Sequence, residues 1–113
     1  MARSHGPGDL LERTDPTPSP DDVTRKMRRA ALLHLDGDVD EAARIYRSVL
    51  SDDPDHAVAH NNLGFLLAQS GELDQAITHY EAALEANPRS SMALTNFGNA
   101  RISQGDQAGL QLL

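Results

Sequence analysis

The sequence predicts an all-α protein, an array of helical hairpins built on a repeat of 34 residues. Two observations carry this. First, Gly37, Gly71 and Gly105 are spaced 34 apart, as are Pro54 and Pro88, and each glycine is followed by an acid, Asp38, Glu72 or Asp106. Ala42 with Ala76, Tyr46 with Tyr80, Leu33 with Leu67, and Ala30 with Gly64 and Gly98 keep the same period. A fixed period that carries glycine, proline and aromatic markers together is the mark of a helical repeat array. Second, each period holds two apolar patterns at helical spacing joined by a short link, and short links make antiparallel helix hairpins.

The elements follow in order. Residues 1–22 are expected to form a disordered arm, because Pro7, Pro16, Pro18 and Pro20 break regular structure and Gly6 and Gly8 loosen it. Its one helix-prone island is "DLLER", Asp9–Arg13, and a docking role for it is the alternative to a solvated tail. Repeats are placed at 23–56, 57–90 and, incomplete, 91–113. The first has helix A at about Val23–Asp36 and helix B at about Val39–Ser51. In the second, A runs from about Ala57 to Gln69, and Gly71 is its natural left-handed stop. B follows at about Leu73–Ala86 with a stripe of Leu73, Ala76, Ile77, Tyr80, Ala83 and Leu84. Pro88 then forbids continuation, since it lacks an N–H and restricts the residue before it. The third A is expected at about Ser91–Gln104, and "DQAGLQLL" supplies at most two turns of a third B.

These markers resemble the tetratricopeptide repeat (TPR) family. In the middle repeat the resemblance rests on Leu63, Gly64, Leu67, Ala76, Tyr80, Ala83 and Pro88, and it covers 23–113. His60 stands where the family favours Trp, and Arg29 where it favours Leu. The second departure suits a first repeat with no neighbour on its outer side. The resemblance implies a right-handed superhelix whose A helices line a concave groove, and a role in binding peptides or other proteins there.

Bulk composition narrows function. A net charge of −7 argues against binding to nucleic acid or an anionic membrane, which need clustered positive charge. With no cysteine, disulfides and thiolate chemistry are excluded. No apolar run is long enough to span a bilayer, and the first twenty residues lack the apolar stretch of a secretory signal, so the expected compartment is the cytoplasm. No nucleophile with base and orienter, phosphate loop or carboxylate pair appears, so neither catalysis nor a cofactor is expected. "DGDVDE" (36–41) superficially resembles a calcium loop, but its acids are better read as helix caps. His56 and His60 have a spacing that can bind metal on a helix, yet nothing completes a shell, and His60 is read as packing inward. His34 is placed at the groove edge as a polar contact.

Two surfaces remain as candidate interaction sites. On a wheel of about 100° per residue, His60, Leu63, Gly64 and Leu67 face the core. Opposite lie Val58, Asn62, Phe65 and Gln69, uncharged and partly apolar. A shift of 34 gives Met92, Asn96, Asn99 and Ser103, and the reverse shift gives Thr24, Arg28, Ala31 and Leu35. The partner-binding set is therefore Arg28, Val58, Asn62, Phe65, Gln69, Met92, Asn96 and Asn99. Asn62 and Asn96 occupy equivalent points and resemble two rungs of the asparagine ladder with which some TPR proteins grip a peptide backbone, Arg28 replacing the third; the alternative is that Asn61 and Asn62 follow family preference and make only local hydrogen bonds. At the positions where heat-shock-tail-binding members carry a carboxylate clamp, this chain offers Met27, Ala31, Met92 and Asn96, so that mode is rejected. The second surface is the unfinished end, where Leu94, Phe97, Leu110, Leu112 and Leu113 form an apolar edge suited to self-association or docking.

Overall fold

A computed structural model describes residues 19–112, without the side chains of 110–112. The expected arm over 1–18, and Leu113, lie outside the described residues. Five helices follow one another: α1 (Pro20–Leu35), α2 (Val39–Asp52), α3 (Ala57–Gln69), α4 (Leu73–Ala86) and α5 (Ser91–Leu112). Each packs against the next, and α5 also touches α3. The A helices α1, α3 and α5 thus form one layer, with α2 and α4 behind them.

The boundaries follow local chemistry. Helix α1 begins at Pro20, three residues ahead of the expected Val23, because Ser19 caps it by accepting from the Asp22 N–H and Pro20 occupies the first turn. There a missing N–H costs nothing, and Asp21 and Asp22 favour the positive helix end. Proline therefore opens this helix instead of breaking it. Asp38 caps α2 by accepting from Glu41 N–H at 3.4 Å, as its acid-rich turn led one to expect. Gly37 and Gly71 stop α1 and α3 with φ of 89° and 84°, the left-handed region that glycine enters without strain. The Asp38 and Glu72 N–H groups, three residues past each helix, then close on Leu33 O (2.8 Å) and Leu67 O (2.9 Å), satisfying carbonyls the helix end leaves open.

The third glycine behaves differently. Gly105 lies inside α5, and the helix runs unbroken from Ser91 to Leu112. The expected turn after Gln104 and the separate B stub do not form. Gly105 keeps helical geometry, where Gly37 and Gly71 turn with positive φ. Carrying glycine in a helix costs only about 1 kcal/mol, so continuation wins. Gln104 Nε2 donates to Asp74 Oδ1 at 2.6 Å, tying the middle of α5 to the start of α4.

The core is the set the 34-residue period marks. Tyr46, Tyr80, Leu63, Leu66 and Val49 are its largest fully buried side chains, joined by Ala30, Ala42, Ala59 and Ala76. Small residues sit where helices cross. A Cβ on Gly64 would stand 2.7 Å from Tyr80 Cε1 and 3.2 Å from the Ala76 carbonyl oxygen, so only glycine admits α4 this close to α3.

Candidate functional site

The predicted row is built by α1, α3 and α5 and faces away from the α2/α4 layer. Arg28, Val58, Phe65, Gln69, Met92 and Asn99 are exposed, and Asn62 and Asn96 are half-buried. Three apolar side chains stand out in water here: Val58 at 55%, Phe65 at 41% and Met92 at 67% of full exposure. Thr24, Ala31, Leu35 and Ser103 extend the row, all exposed.

The two asparagines are already engaged within the chain. Asn62 Nδ2 donates to Tyr46 Oη at 3.3 Å, linking the first repeat's B helix to the second repeat's A helix. Asn96 Nδ2 donates to Asn61 Oδ1 at 3.0 Å. Asn61 is a buried polar residue in α3, 6% exposed, and this bond satisfies its carbonyl against α5. The offset is 35 residues, one more than the repeat, so a search at 34 passes over it. Each amide nitrogen carries two hydrogens and each oxygen two lone pairs, so both asparagines keep donor and acceptor capacity toward a ligand.

At the α1 end of the row His34 bonds Gln69 across 2.7 Å and sets its ring edge-on to Phe65, centroids 5.7 Å apart. His34 thus makes a polar contact within the chain, to Gln69. His56 and His60 do different work from each other. His56 caps α3, its Nδ1 accepting from Ala59 N–H at 3.1 Å. His60 is half-buried at the α3/α4 seam, where its Nε2–H donates to the Pro54 carbonyl at 2.7 Å and its Nδ1 lies 3.0 Å from His79 Nδ1. The two Nδ1 atoms share one proton. Burial, His60 and Arg47 hold His79 below the ordinary histidine value. Burial likewise raises the Tyr46 phenol, against the opposing Asn62 hydrogen bond, and pushes Tyr80 up to about 12. Among the described residues no three His, Asp or Glu side chains gather as metal ligands.

The expected apolar edge is only partly open. Leu94 is 52% exposed, but Phe97 is half-buried against the core with the Arg101 guanidinium 5.7 Å above its ring, and Ala100 is buried. The face that a third B helix would cover stays open, since a Cβ on Gly98, the counterpart of Gly64, would meet nothing within 4 Å. Ile102, which the sequence reading passed over, is 65% exposed. Leu110 and Leu112 lie on α5 but their side chains, like Leu113, fall outside the described residues.

Comparison with known proteins agrees with this architecture. The Sgt2 TPR domain from Aspergillus fumigatus superposes with a TM-score of 0.72 at 22% identity, over 82% of this chain and 61% of that one. The TPR2AB domain of yeast Sti1, in complex with pHSP90, superposes at 0.74 and 18% identity, over 95% of this chain and 42% of that one. The chain thus spans less than two thirds of either structure, and at such identities the likeness is one of fold. None of the curated protein sequences matches significantly. No described helix is long and apolar enough to cross a membrane. Residues 33–96, more than half of the chain, match the tetratricopeptide repeat family model, and the chain belongs to that family.

Proposed function

We propose that the chain is a noncatalytic interaction module that holds a segment of a partner protein along the α1/α3/α5 row. One observation carries the reading: Val58, Phe65 and Met92 are exposed apolar groups interleaved with uncharged amides on successive A helices. A merely solvated face would carry charge at these points. The row suits an extended, mostly uncharged segment with apolar side chains spaced to meet Phe65 and Met92. Asn62, Asn96 and Asn99 meet its backbone, and Arg28 meets an acid at one end. One structural neighbour is itself a complex with pHSP90, so the fold takes protein partners. Clamping of a terminal carboxylate is disfavoured here, because Ala31, Met92 and Asn96 carry no charge and Met27 packs against the core.

The test is selection of peptides from a displayed random library on the whole chain, followed by titration of the winners against Val58→Glu/Met92→Glu. Neither position has an internal partner to lose, so the fold is kept while the row is blocked. A loss of affinity of tenfold or more supports the reading; unchanged affinity overturns it.

A second reading is favoured by Leu94 and Ile102, which leave an apolar strip exposed on α5. It makes the chain an assembly protein that self-associates or caps a larger complex through this end. Sedimentation at 10 µM to 1 mM, roughly the range in which weak interfaces show, separates the two: a mass independent of concentration removes self-association.

A further inference from the structure

The outer face of α1 corresponds in the repeat to a face that α3 buries. In α3, Ala59, Leu63 and Leu66 are 0%, 0% and 1% exposed, because the preceding hairpin covers them. Their counterparts 34 residues earlier are Arg25, Arg29 and Leu32. Leu32 is 56% exposed, and with Arg25, Arg28 and Arg29 it forms a stripe at helical spacing. These four residues, with Asp22 and Lys26, line a depression on α1. Arg25 pairs with Asp22 in the same turn, and Lys26 reaches across to Ser48 at 3.0 Å and Asp52 at 3.5 Å on α2. Arg28 and Arg29 are exposed, Arg28 lying on the border between this face and the α1/α3/α5 row. The surface therefore asks for a short occupant that is acidic at its ends and apolar in the middle.

We propose that this occupant is the chain's own segment Asp9–Arg13, "DLLER". Charge and shape agree: Asp9 and Glu12 flank Leu10 and Leu11, which would lie on Leu32 while the acids meet Arg28 and Arg29. The tether also agrees. Thr14–Ser19 is six residues containing Pro16 and Pro18, which at about 3.1 Å per residue spans about 19 Å. From Pro20 to Leu32 the helix rises about 18 Å at 1.5 Å per residue. Fully extended, this tether carries Arg13 about as far along α1 as Leu32, so a less extended one brings Leu10 and Leu11 over Leu32. Tethering makes the encounter intramolecular, at an effective concentration of about millimolar, so a small contact suffices. The docked segment would take the place of a preceding repeat, a cap drawn from the chain itself.

The chain has no cysteine, so a spin label on Gly8→Cys reports where the segment lies in the full chain. Broadening of the amide signals of Arg28–Leu32 that exceeds the broadening at Pro20–Asp22's end of the helix is the expected result. It should be lost in Leu10→Ser/Leu11→Ser, and weakened at least twofold at 1 M NaCl, where the Debye length falls to about 3 Å. Reversal of the acids alone (Asp9→Arg/Glu12→Arg) should abolish it, and adding Arg28→Glu/Arg29→Glu should restore it. Broadening that merely decays along α1 from its start, equal in wild type and the leucine variant, overturns the proposal. So does broadening centred on Phe65 and Met92, which would put the segment in the A-helix row. Broadening seen only when labelled and unlabelled chains are mixed also overturns it, since the contact would then be between copies.

Discussion

Gly64 and Gly98 occupy the same repeat position, and the same substitution at each should have opposite effects. At Gly64 a new Cβ would lie 2.7 Å and 2.9 Å from two Tyr80 ring carbons and 3.2 Å from a backbone oxygen. Tyr80 is 1% exposed and has nowhere to retreat. Overpacking of this kind costs about 1–3 kcal/mol, and the backbone contact places it in the upper half of that range. Alanine returns about 1 kcal/mol through its better helix propensity, leaving Gly64→Ala destabilised by about 1–2 kcal/mol. At Gly98 the Cβ meets nothing within 4 Å, so only the propensity gain of about 1 kcal/mol remains. For a domain of this size the two variants should melt about 4–16 °C below and about 4–8 °C above wild type. Thermal and urea unfolding followed by circular dichroism at 222 nm reads both. A Gly64→Ala protein as stable as wild type, or shifts of the same sign at both sites, would refute the close α3/α4 approach and the uncovered face of α5.

Stability should fall as pH drops below about 6.5, the unfolded histidine value. His79 is held lower in the folded state, so the unfolded chain binds the extra proton there; melts at pH 7.5 and 5.0 should differ less in His79→Gln than in wild type. At the alkaline end the sign reverses: Tyr80, raised to about 12, keeps its proton in the folded state while the unfolded phenol ionises near 10. Absorbance at 295 nm should therefore show both tyrosines ionising above 10, with stability declining over the same interval. Asn96→Ala removes the donor to buried Asn61 Oδ1 and should cost about 1–3 kcal/mol, measured by urea unfolding; a neutral result would mean that water satisfies that oxygen.

The repeat was legible because its markers are geometric necessities. Gly37 and Gly71 recur at the period because both turn left-handed, and the position of Gly64, which admits Tyr80, keeps a small residue as Ala30 in the first repeat. Gly105 carried the same letter without the same necessity. Whether it turns depends on a following helix to bury, and the identity of one residue cannot encode that. Pro20 misled for the opposite reason: proline signals both a break and a first turn, and Ser19 with its acids decides between them only once the cap is formed. The exposed row was found from the wheel because exposure follows period. The bonds across helices, Asn61–Asn96, Asn62–Tyr46 and His60–His79, were not, because each joins residues on different helices whose relative rotation the sequence leaves open.

Those cross-helix bonds change what the asparagines mean. A ladder that grips a peptide backbone needs amides held in place but not saturated. Asn62 and Asn96 are held: one by Tyr46, the other by Asn61, each from an element that is itself buried. Their orientation is thus fixed before any ligand arrives, which removes much of the side-chain ordering cost that binding would otherwise incur, about 0.5–1.5 kcal/mol for each mobile side chain. The same bonds make alanine a poor probe, because deleting Asn96 strands Asn61 and weakens the fold whether or not a peptide ever binds. A substitution that separates the two roles must alter the row without touching the seam. Val58 and Met92 satisfy that condition, and a binding loss there with an unchanged melt could come only from the face itself.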